Sequence, residues 1–300
     1  MKQTKRAALA RVWWINLATC AVHLSAVLVT VILWTDWTIP VTTSFISWEM
    51  KNQTSDMGCR DGNCFVKSAF ATWDGVPNIS LLGLVISFHA LSFIWQFCVI
   101  FDGPVRDFYH ADIARGRNTM RWCEYALSAP LMICVISAVL GQVDVVVYAL
   151  LSTCTAALMG LGYLQEVHMR ETIVPHVMGW ILFGMTWAPL TFSFAVSLQK
   201  SPASPPSDVL AIIWSTYVLM LTLFGCFGIV QVVHVAQQRK RIAANQFQRL
   251  GSEKNENGYG TIECAYAILS ATAKLVLGVL LIFLIYARED QAKLEFQDFS

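Results

Sequence analysis

The stretch IECAYAILSATAKLVLGVLLIFLIY, residues 262–286, decides the fold of this chain. It is predominantly apolar, and about 20 such residues are enough for an α-helix to cross the hydrocarbon layer of a bilayer. Lys274 lies near its middle, where a charged side chain costs about 3 kcal/mol on insertion scales. A lysine at that depth needs a neutralising partner or a function.

Six further stretches have the same character, so the chain is predicted to cross a membrane seven times. Called spans 1 to 7 in chain order, they lie near residues 12–34, 78–101, 122–142, 145–165, 174–198, 209–236 and 262–286. Only 14% of the 300 residues are charged, against about 25% in soluble domains. We therefore predict one all-α domain over residues 1–300, embedded in a lipid bilayer. The net charge of +1 does not point to nucleic acid.

The positions of the Lys and Arg residues predict which side of the membrane each end faces. Of the 21, fourteen lie before span 1 or beside the 2–3, 4–5 and 6–7 loops, whereas six lie on the other side. Since basic loops stay in the cytoplasm, the N-terminus is predicted cytoplasmic and the C-terminus extracellular. The basic start resembles a signal peptide, but the apolar run is too long for one, so we expect a retained helix.

The outer loop between spans 1 and 2, about residues 36–77, is predicted to form a small β-hairpin. It contains an Asp-Gly turn signal at 61–62 and an alternating run at Phe65–Trp73. Cys59 and Cys64 flank that turn and form either a disulfide or two free thiols. Asn52 begins a glycosylation sequon. The other seven cysteines are interpreted as small packing residues, and no spacing indicates a metal site.

Four ionisable side chains are predicted to converge within the membrane. At about 1.5 Å per residue, Lys274, His23 and His89 reach similar depths near the midplane, and Glu124 lies slightly shallower. These residues belong to spans 7, 1, 2 and 3, which are neighbours in a closed ring of seven helices. One acid and one base deep in hydrocarbon suggest a pair. A buried lysine is also suited to a Schiff base with an aldehyde, with the acid as counterion.

Two serines are expected to support this pair. Ser128 follows Glu124 by four residues and Ser270 precedes Lys274 by four, so each lies one helical turn from a charge on the same face. Hydroxyls at those positions can hydrogen-bond the charged groups or an ordered water.

Other charged residues near the inner ends of the spans admit two interpretations. Arg121 either influences Glu124 one turn away or extends to the membrane interface, which we favour. Glu166, His168 and Glu171 are expected to form a solvated loop end, and the alternative is a proton-accepting exit.

Two segments resemble the heliorhodopsin family. The string Arg121-Trp-Cys-Glu-Tyr-Ala-Leu-Ser128-Ala-Pro-Leu-Met132 is similar to the third helix of that family. Ser270-Ala-Thr-Ala-Lys274-Leu-Val-Leu-Gly278 is similar to its seventh. The single histidines in spans 1 and 2 fit as well. So does the predicted cytoplasmic N-terminus, an orientation opposite to that of ordinary microbial rhodopsins. The resemblance covers essentially the whole chain.

The resemblance implies a rhodopsin-like bundle that binds all-trans retinal as a protonated Schiff base on Lys274, with Glu124 as counterion. His23 and His89 would belong to a hydrated polar network, and Ser128 and Ser270 would line the site. Along the polyene it places the pocket residues Tyr125, Met132, Trp180, Phe224, Phe227 and Gln231. It also implies a homodimer with the outer sheet near the contact, and no enzymatic activity.

Three functions remain open at this point. The first is a light sensor that signals by conformational change, with a cytoplasmic partner at the polar 6–7 loop, Gln237–Gly260. The second is a light-gated proton channel, since some viral heliorhodopsins conduct protons. An efficient proton pump is disfavoured, because Val135 and Ser270 stand where other rhodopsins place carboxylates.

The third is a receptor or transporter without retinal. Span 3 lacks the acidic-Arg-aromatic triplet of G-protein-coupled receptors, and span 7 contains no proline. Neither the internal repeats nor the broken helices of many transporters are evident.

Overall fold

The structure is a computed structural model that describes residues 2–33, 38–49, 59–60, 63–64, 67–73, 75, 78–168, 172–200, 206–247 and 256–298. Within these ranges the helices are α1 Lys2–Ile32, α2 Leu81–Ile100, α3 Pro104–Ala114, α4 Thr119–Val139, α5 Val145–Val167, α6 Val174–Lys200, α7 Ser207–Phe247 and α8 Glu256–Asp298. All except α3 contain a segment long and apolar enough to cross a membrane. The seven predicted spans are therefore confirmed.

Several helix ends differ from the prediction. Helix α4 begins at Thr119, three residues before span 3, because the side chain of Asn118 caps its N-terminus by accepting from Arg121 N over 3.0 Å. Helices α7 and α8 extend into the connector predicted at Gln237–Gly260, reaching Phe247 and starting again at Glu256. Hydropathy marks where a helix leaves the bilayer, whereas the backbone hydrogen bonds continue into the polar sequence beyond it.

The short helix α3 was not predicted from the sequence. It begins with Pro104, which is favourable in a first helical turn, and it buries Tyr109, Asp112 and Ile113 on one side. The spacing of three and four residues is that of an amphipathic helix lying against the bundle. Its position defines one end of the bundle, the α3 end.

The transmembrane helices pack as a ring. Contacts join α1 to α2, α2 to α4, α4 to α5, α5 to α6, α7 to α8 and α8 back to α1. Aromatic side chains fill the seam between α6 and α7, where the ring centroids of Trp187 and Phe224 lie 5.8 Å apart. In the same seam an added Cβ at Gly228 would lie 2.6 Å from the indole of Trp180. Large rings thus hold the two backbones apart.

The loop between α1 and α2 forms the predicted hairpin, built from antiparallel pairs placed one within another. Its strands are β1 Thr38–Ile39, β2 Thr43–Glu49, β3 Cys59–Arg60, β4 Asn63–Cys64, β5 Lys67–Trp73 and β6 Ile79–Ser80, and they pair β1 with β6, β2 with β5 and β3 with β4. The sheets mark the hairpin end of the bundle. Cys59 stands opposite Cys64 in the register, but their side chains lie outside the described part, as does Asn52. The disulfide therefore stays a prediction.

The half of the bundle nearest the hairpin end has a densely packed apolar core. Ile133, Val135 and Ile136 on α4 are completely buried, and they pack against Leu81 on α2 and Leu277 on α8. The outward faces of the spans carry large exposed apolar residues such as Phe192, which suits contact with lipid. Most of the buried charged groups lie in the other half, towards the α3 end.

Candidate functional site

A buried ion pair joins α8 to α4 near the middle of the bundle. Lys274 and Glu124 are only 2% and 7% exposed, and Nζ of Lys274 contacts Oε1 of Glu124. The hydroxyl of Ser92 on α2 accepts from Lys274 Nζ and donates to the same Oε1 over 2.6 Å. Ser128 donates to it over 3.0 Å. Such hydrogen bonds offset part of the free energy lost when two charges leave water.

The sequence placed most of these groups correctly. Glu124 and Lys274 come into contact as expected of a pair, and Ser128 hydrogen-bonds the acid from one turn along α4. Ser92 was missed, although it follows His89 by three residues and so shares the inward face of α2. Ser270 lines the cavities beside the pair.

The two predicted histidines contact each other. His23 on α1 and His89 on α2 are completely buried, and their Nδ1 atoms lie 2.9 Å apart. One nitrogen must donate and the other accept, so a single proton lies between the rings. An added Cβ at Gly278, one turn beyond Lys274, would lie 3.5 Å from Nε2 of His89. The histidine pair is therefore adjacent to the lysine.

Mostly apolar side chains surround a cavity whose wall includes Lys274. It contains about 790 Å³ of space free of protein atoms, part of it open to the outside. All six residues predicted for a retinal pocket line it, namely Tyr125, Met132, Trp180, Phe224, Phe227 and Gln231, and so do Ser128 and Ser270. The wall thus combines aromatic surface with a few polar groups, which is typical of a small-molecule site.

Part of this cavity wall, on α6 and α7, carries a polar group that sequence reasoning did not identify. His176 accepts a hydrogen bond from Trp180 Nε1 over 3.0 Å, and its Nδ1 lies 3.3 Å from Gln231 Oε1. Gln231 in turn donates to the backbone carbonyl of Gly162 over 2.8 Å. His176 lies one helical turn before Trp180 on α6, so the four-residue spacing could have identified His176 as a pocket residue from the sequence.

The interpretation of Arg121 as an interfacial residue was wrong. Arg121 is 6% exposed and forms ion pairs with Glu166 on α5 and Glu263 on α8. Glu166 is buried too, so its interpretation as part of a solvated loop was also wrong, whereas His168 is exposed at the end of α5. Glu171 lies outside the described residues. Glu263 was overlooked because it stands in the first turn of span 7, where hydropathy alone allows a solvated acid.

A second cavity links the central ion pair to this cluster. It contains about 430 Å³ of free space and lies among α1, α2, α3, α4 and α8. Its wall includes Glu124 from the central pair, Arg121 and Glu263 from the cluster, and the polar residues Asn16 and Gln96. This polar space is large enough to hold several waters. It lies on the α3 side of Glu124.

The connector from α3 to α4 is fixed by Asp112. This buried carboxylate accepts from Thr119 N over 3.0 Å and pairs with Arg117 Nε at 3.0 Å. Burial, the largest influence, raises the pKa of Asp112, but the hydrogen bonds from Thr119 and Arg117 outweigh it and the net direction is downward. Asn118, held between these residues, donates from its backbone to Glu166 over 3.1 Å and from its side chain to Glu263 over 2.7 Å.

Comparison with solved structures shows the same fold. The crystal structure of thermophilic rhodopsin shares 14% identity with the chain at a TM-score of 0.55, covering 95% of this chain and 96% of that one. Cyanorhodopsin N4075R from the cyanobacterium Tolypothrix sp. NIES-4075 shares 12% identity at a TM-score of 0.53, covering 96% and 99%. No curated protein matches the chain.

The family is shown by the sequence itself. A family model described as Heliorhodopsin matches residues 11–287, which is nearly the whole chain. Its members are retinal-binding photoactive membrane proteins, and rhodopsins in general are not enzymes. The chain therefore belongs to the heliorhodopsin family.

Proposed function

We propose that this protein is a light sensor that carries all-trans retinal on Lys274 as a protonated Schiff base, with Glu124 as the counterion. The observation that supports the proposal is the contact between Lys274 and Glu124 beside an aromatic cavity. The lysine is the amine that a retinal aldehyde requires, and aromatic and apolar side chains line the cavity beside it. The residues present therefore fit the chromophore.

Each residue around the pair has a definable task. When bound, retinal supplies absorption of visible light and a change of shape about a double bond. Glu124 stabilises positive charge on the Lys274 nitrogen, and Ser92 and Ser128 hold the carboxylate oxygen in place. His23 and His89 already hold one proton between two rings, so they can accept or return a proton when charge nearby changes.

A sensor is favoured over a pump because the other buried carboxylates that the structure describes lie on one side of Glu124. An ordinary outward pump needs a second carboxylate on the far side of its counterion. Towards the hairpin end, α4 continues with the buried apolar residues Ile133, Val135 and Ile136, and its buried polar residues there, Ser128 and Ser137, are neutral hydroxyls. Towards the α3 end lie the second cavity and the Arg121 cluster. A charge change at Lys274 would therefore be transmitted to the α3 end as a change of conformation.

Reconstitution with retinal tests the proposal. Membranes expressing the chain with all-trans retinal should develop a visible absorption band, and Lys274→Ala should abolish it. Lys200→Ala is the matched control, because Lys200 is an exposed lysine at the end of α6. Retinal binding with an unchanged visible band in Lys274→Ala would refute the assignment of the attachment site.

A light-gated proton channel is the second candidate, and the second cavity is the observation that favours it. Whole-cell recording under illumination separates the two functions. A sensor gives no sustained photocurrent. A channel gives currents that reverse with the proton gradient, and Glu166→Gln should reduce them if Glu166 and His168 lie on the exit path.

We further propose that the N-terminus is cytoplasmic, that residues 1–300 form one domain, and that the protein is a homodimer with the hairpin near the contact. A Cys59–Cys64 bridge and a signalling partner at the cytoplasmic face complete the proposal. Labelling of single cysteines in intact cells tests the orientation, and cross-linking in membranes tests the dimer. Mass spectrometry without reductant tests the bridge.

A further inference from the structure

The two cavities of the bundle share part of their walls. Tyr125 and Ser270 line both the second cavity and the cavity at Lys274, which we call the first cavity. We call Tyr125 and Ser270 the partition. Of the two spaces, Lys274 lines the first and Glu124 lines the second, so the central ion pair crosses the boundary between them.

The polar groups in the two walls differ in whether they have protein partners. In the second cavity, Oε1 of Gln96 and Nε of Arg121 are buried without a hydrogen-bond partner among the described residues. Such groups in the wall of a polar cavity indicate bound water. On the α6 and α7 part of the first cavity, by contrast, His176, Trp180 and Gln231 bond to one another. The partition therefore lies between a hydrated space and a mostly apolar one.

Tyr125 is held firmly in this position. Its side chain is 5% exposed, and its hydroxyl on α4 donates to the backbone oxygen of Tyr266 on α8 over 3.1 Å. The ring packs edge-on against Phe227, with centroids 5.5 Å apart. Nζ of Lys274 lies 5.5 Å from the centroid of the Tyr125 ring. The ring thus bridges α4 and α8 directly beside the lysine.

We propose that Tyr125 closes the partition, so that water in the second cavity reaches Glu124 but does not enter the first cavity. The aromatic ring is the larger of the two shared side chains, and its removal would join the two spaces. Exclusion of water is a property of the protein without retinal, and it is testable in that form.

The benefit of this exclusion rests on the proposed function. Water that reached an imine on Lys274 would add across its C=N bond, giving back the aldehyde and the free amine of the lysine. A closed site prevents such hydrolysis by keeping water away from the reacting atoms. Tyr125 would therefore protect the attachment of the chromophore while Glu124 stays in contact with a hydrated space.

Infrared spectroscopy of a nitrile probe in the retinal-free protein tests the partition. The nitrile stretching band moves to higher wavenumber when the nitrogen accepts a hydrogen bond from water. In place of Phe227, p-cyanophenylalanine reports on the first cavity, and in place of Met120 it reports on the second. With the partition intact, the probe at 120 should give the hydrated band and the probe at 227 the lower one. A hydrated band at 227 would overturn the inference.

Variants of Tyr125 then show whether the ring is the barrier. Tyr125→Ala should move the band of the 227 probe towards that of the 120 probe, whereas Tyr125→Phe keeps the ring and should leave the band in place. Tyr217→Ala is the matched control, because this partly buried tyrosine on α7 contacts Thr191 at 2.8 Å and lines neither cavity. An unshifted band in folded Tyr125→Ala would overturn the inference. If thermal unfolding shows that Tyr125→Ala does not fold, Tyr125→Leu replaces it with the same two outcomes.

Bleaching by hydroxylamine in the dark tests the protective role separately. The reagent takes the aldehyde carbon from Lys274 as an oxime and releases the lysine as a free amine. Pigment of Tyr125→Ala should bleach several-fold faster than wild type, and Tyr125→Phe and Tyr217→Ala should bleach at the wild-type rate. Equal rates despite a hydrated 227 probe would overturn the protective role. Failure of the wild type to form any pigment would refute the proposed function instead, and the nitrile result would still stand.

Discussion

Ser92→Ala probes the arrangement at the centre of the bundle. The Ser92 hydroxyl accepts from Lys274 Nζ and donates to Glu124 over 2.6 Å, so alanine removes two hydrogen bonds to charged atoms and leaves a space the size of one oxygen. A hydrogen bond to a charged group contributes about 1.5–3 kcal/mol, and the two bonds act on one pair and are not additive. We therefore expect the unfolding free energy to fall by about 2–3 kcal/mol.

Ser87 offers a matched control on the same helix. Its exposed hydroxyl donates to the backbone oxygen of Gly83 over 2.7 Å and contacts no charged group. Ser87→Ala should change the unfolding free energy by less than about 0.5 kcal/mol. The assay is equilibrium unfolding of the retinal-free protein in detergent. If Ser92→Ala costs no more than Ser87→Ala, Ser92 does not connect the lysine with the acid.

Further predictions concern the histidines, the cavity and the α3 connector. Replacing His23 or His89 with Phe should alter photocycle kinetics in flash spectroscopy more than pigment yield, and unchanged kinetics would make them packing residues. Gly228→Ala should lower pigment yield several-fold, because the added Cβ would lie 2.6 Å from the indole of Trp180. Gly225→Ala is the control, since a Cβ there would lie 4.0 Å from its nearest neighbouring atom. Equal yields for the two alanine variants would contradict that cavity shape. Because the folded pKa of Asp112 lies below its ordinary value, its contribution to stability is complete above the ordinary value and is lost as pH falls through the folded pKa. In thermal unfolding measured at a series of pH values, Asp112→Asn should remove the loss of stability at low pH that comes from this carboxylate. A pH profile identical to that of the wild type would refute the prediction.

The membrane architecture could be predicted because the bilayer imposes a length and an apolar composition on every span. The same rule does not fix where helices end, so the continuation of α7 to Phe247 was missed. It also does not reveal α3, whose short amphipathic sequence carries too few apolar residues to cross a membrane.

Residues of the central site could be predicted where they lie on the same helix or at the same depth in the membrane. Glu124 and Ser128 are four residues apart on α4, and Lys274 is the one charged residue near the middle of its span. Contacts between helices far apart in sequence were not predictable in this way. Arg121 meets Glu166 and Glu263 only because α4, α5 and α8 come together at the α3 end, so an isolated arginine near the end of a span was assigned to the interface.

The apolar core near the hairpin end also bears on how the protein responds to voltage. An electrical potential across the membrane drops mainly across regions that contain neither water nor mobile charges, because water and mobile charges screen the field. The layer around Ile133 and Ile136 is such an insulator, whereas the opposite half contains a polar cavity. Lys274 and Glu124 would thus stand close to the electrical potential of the α3 side. Depolarising the cell should then leave the photocycle rates nearly unchanged.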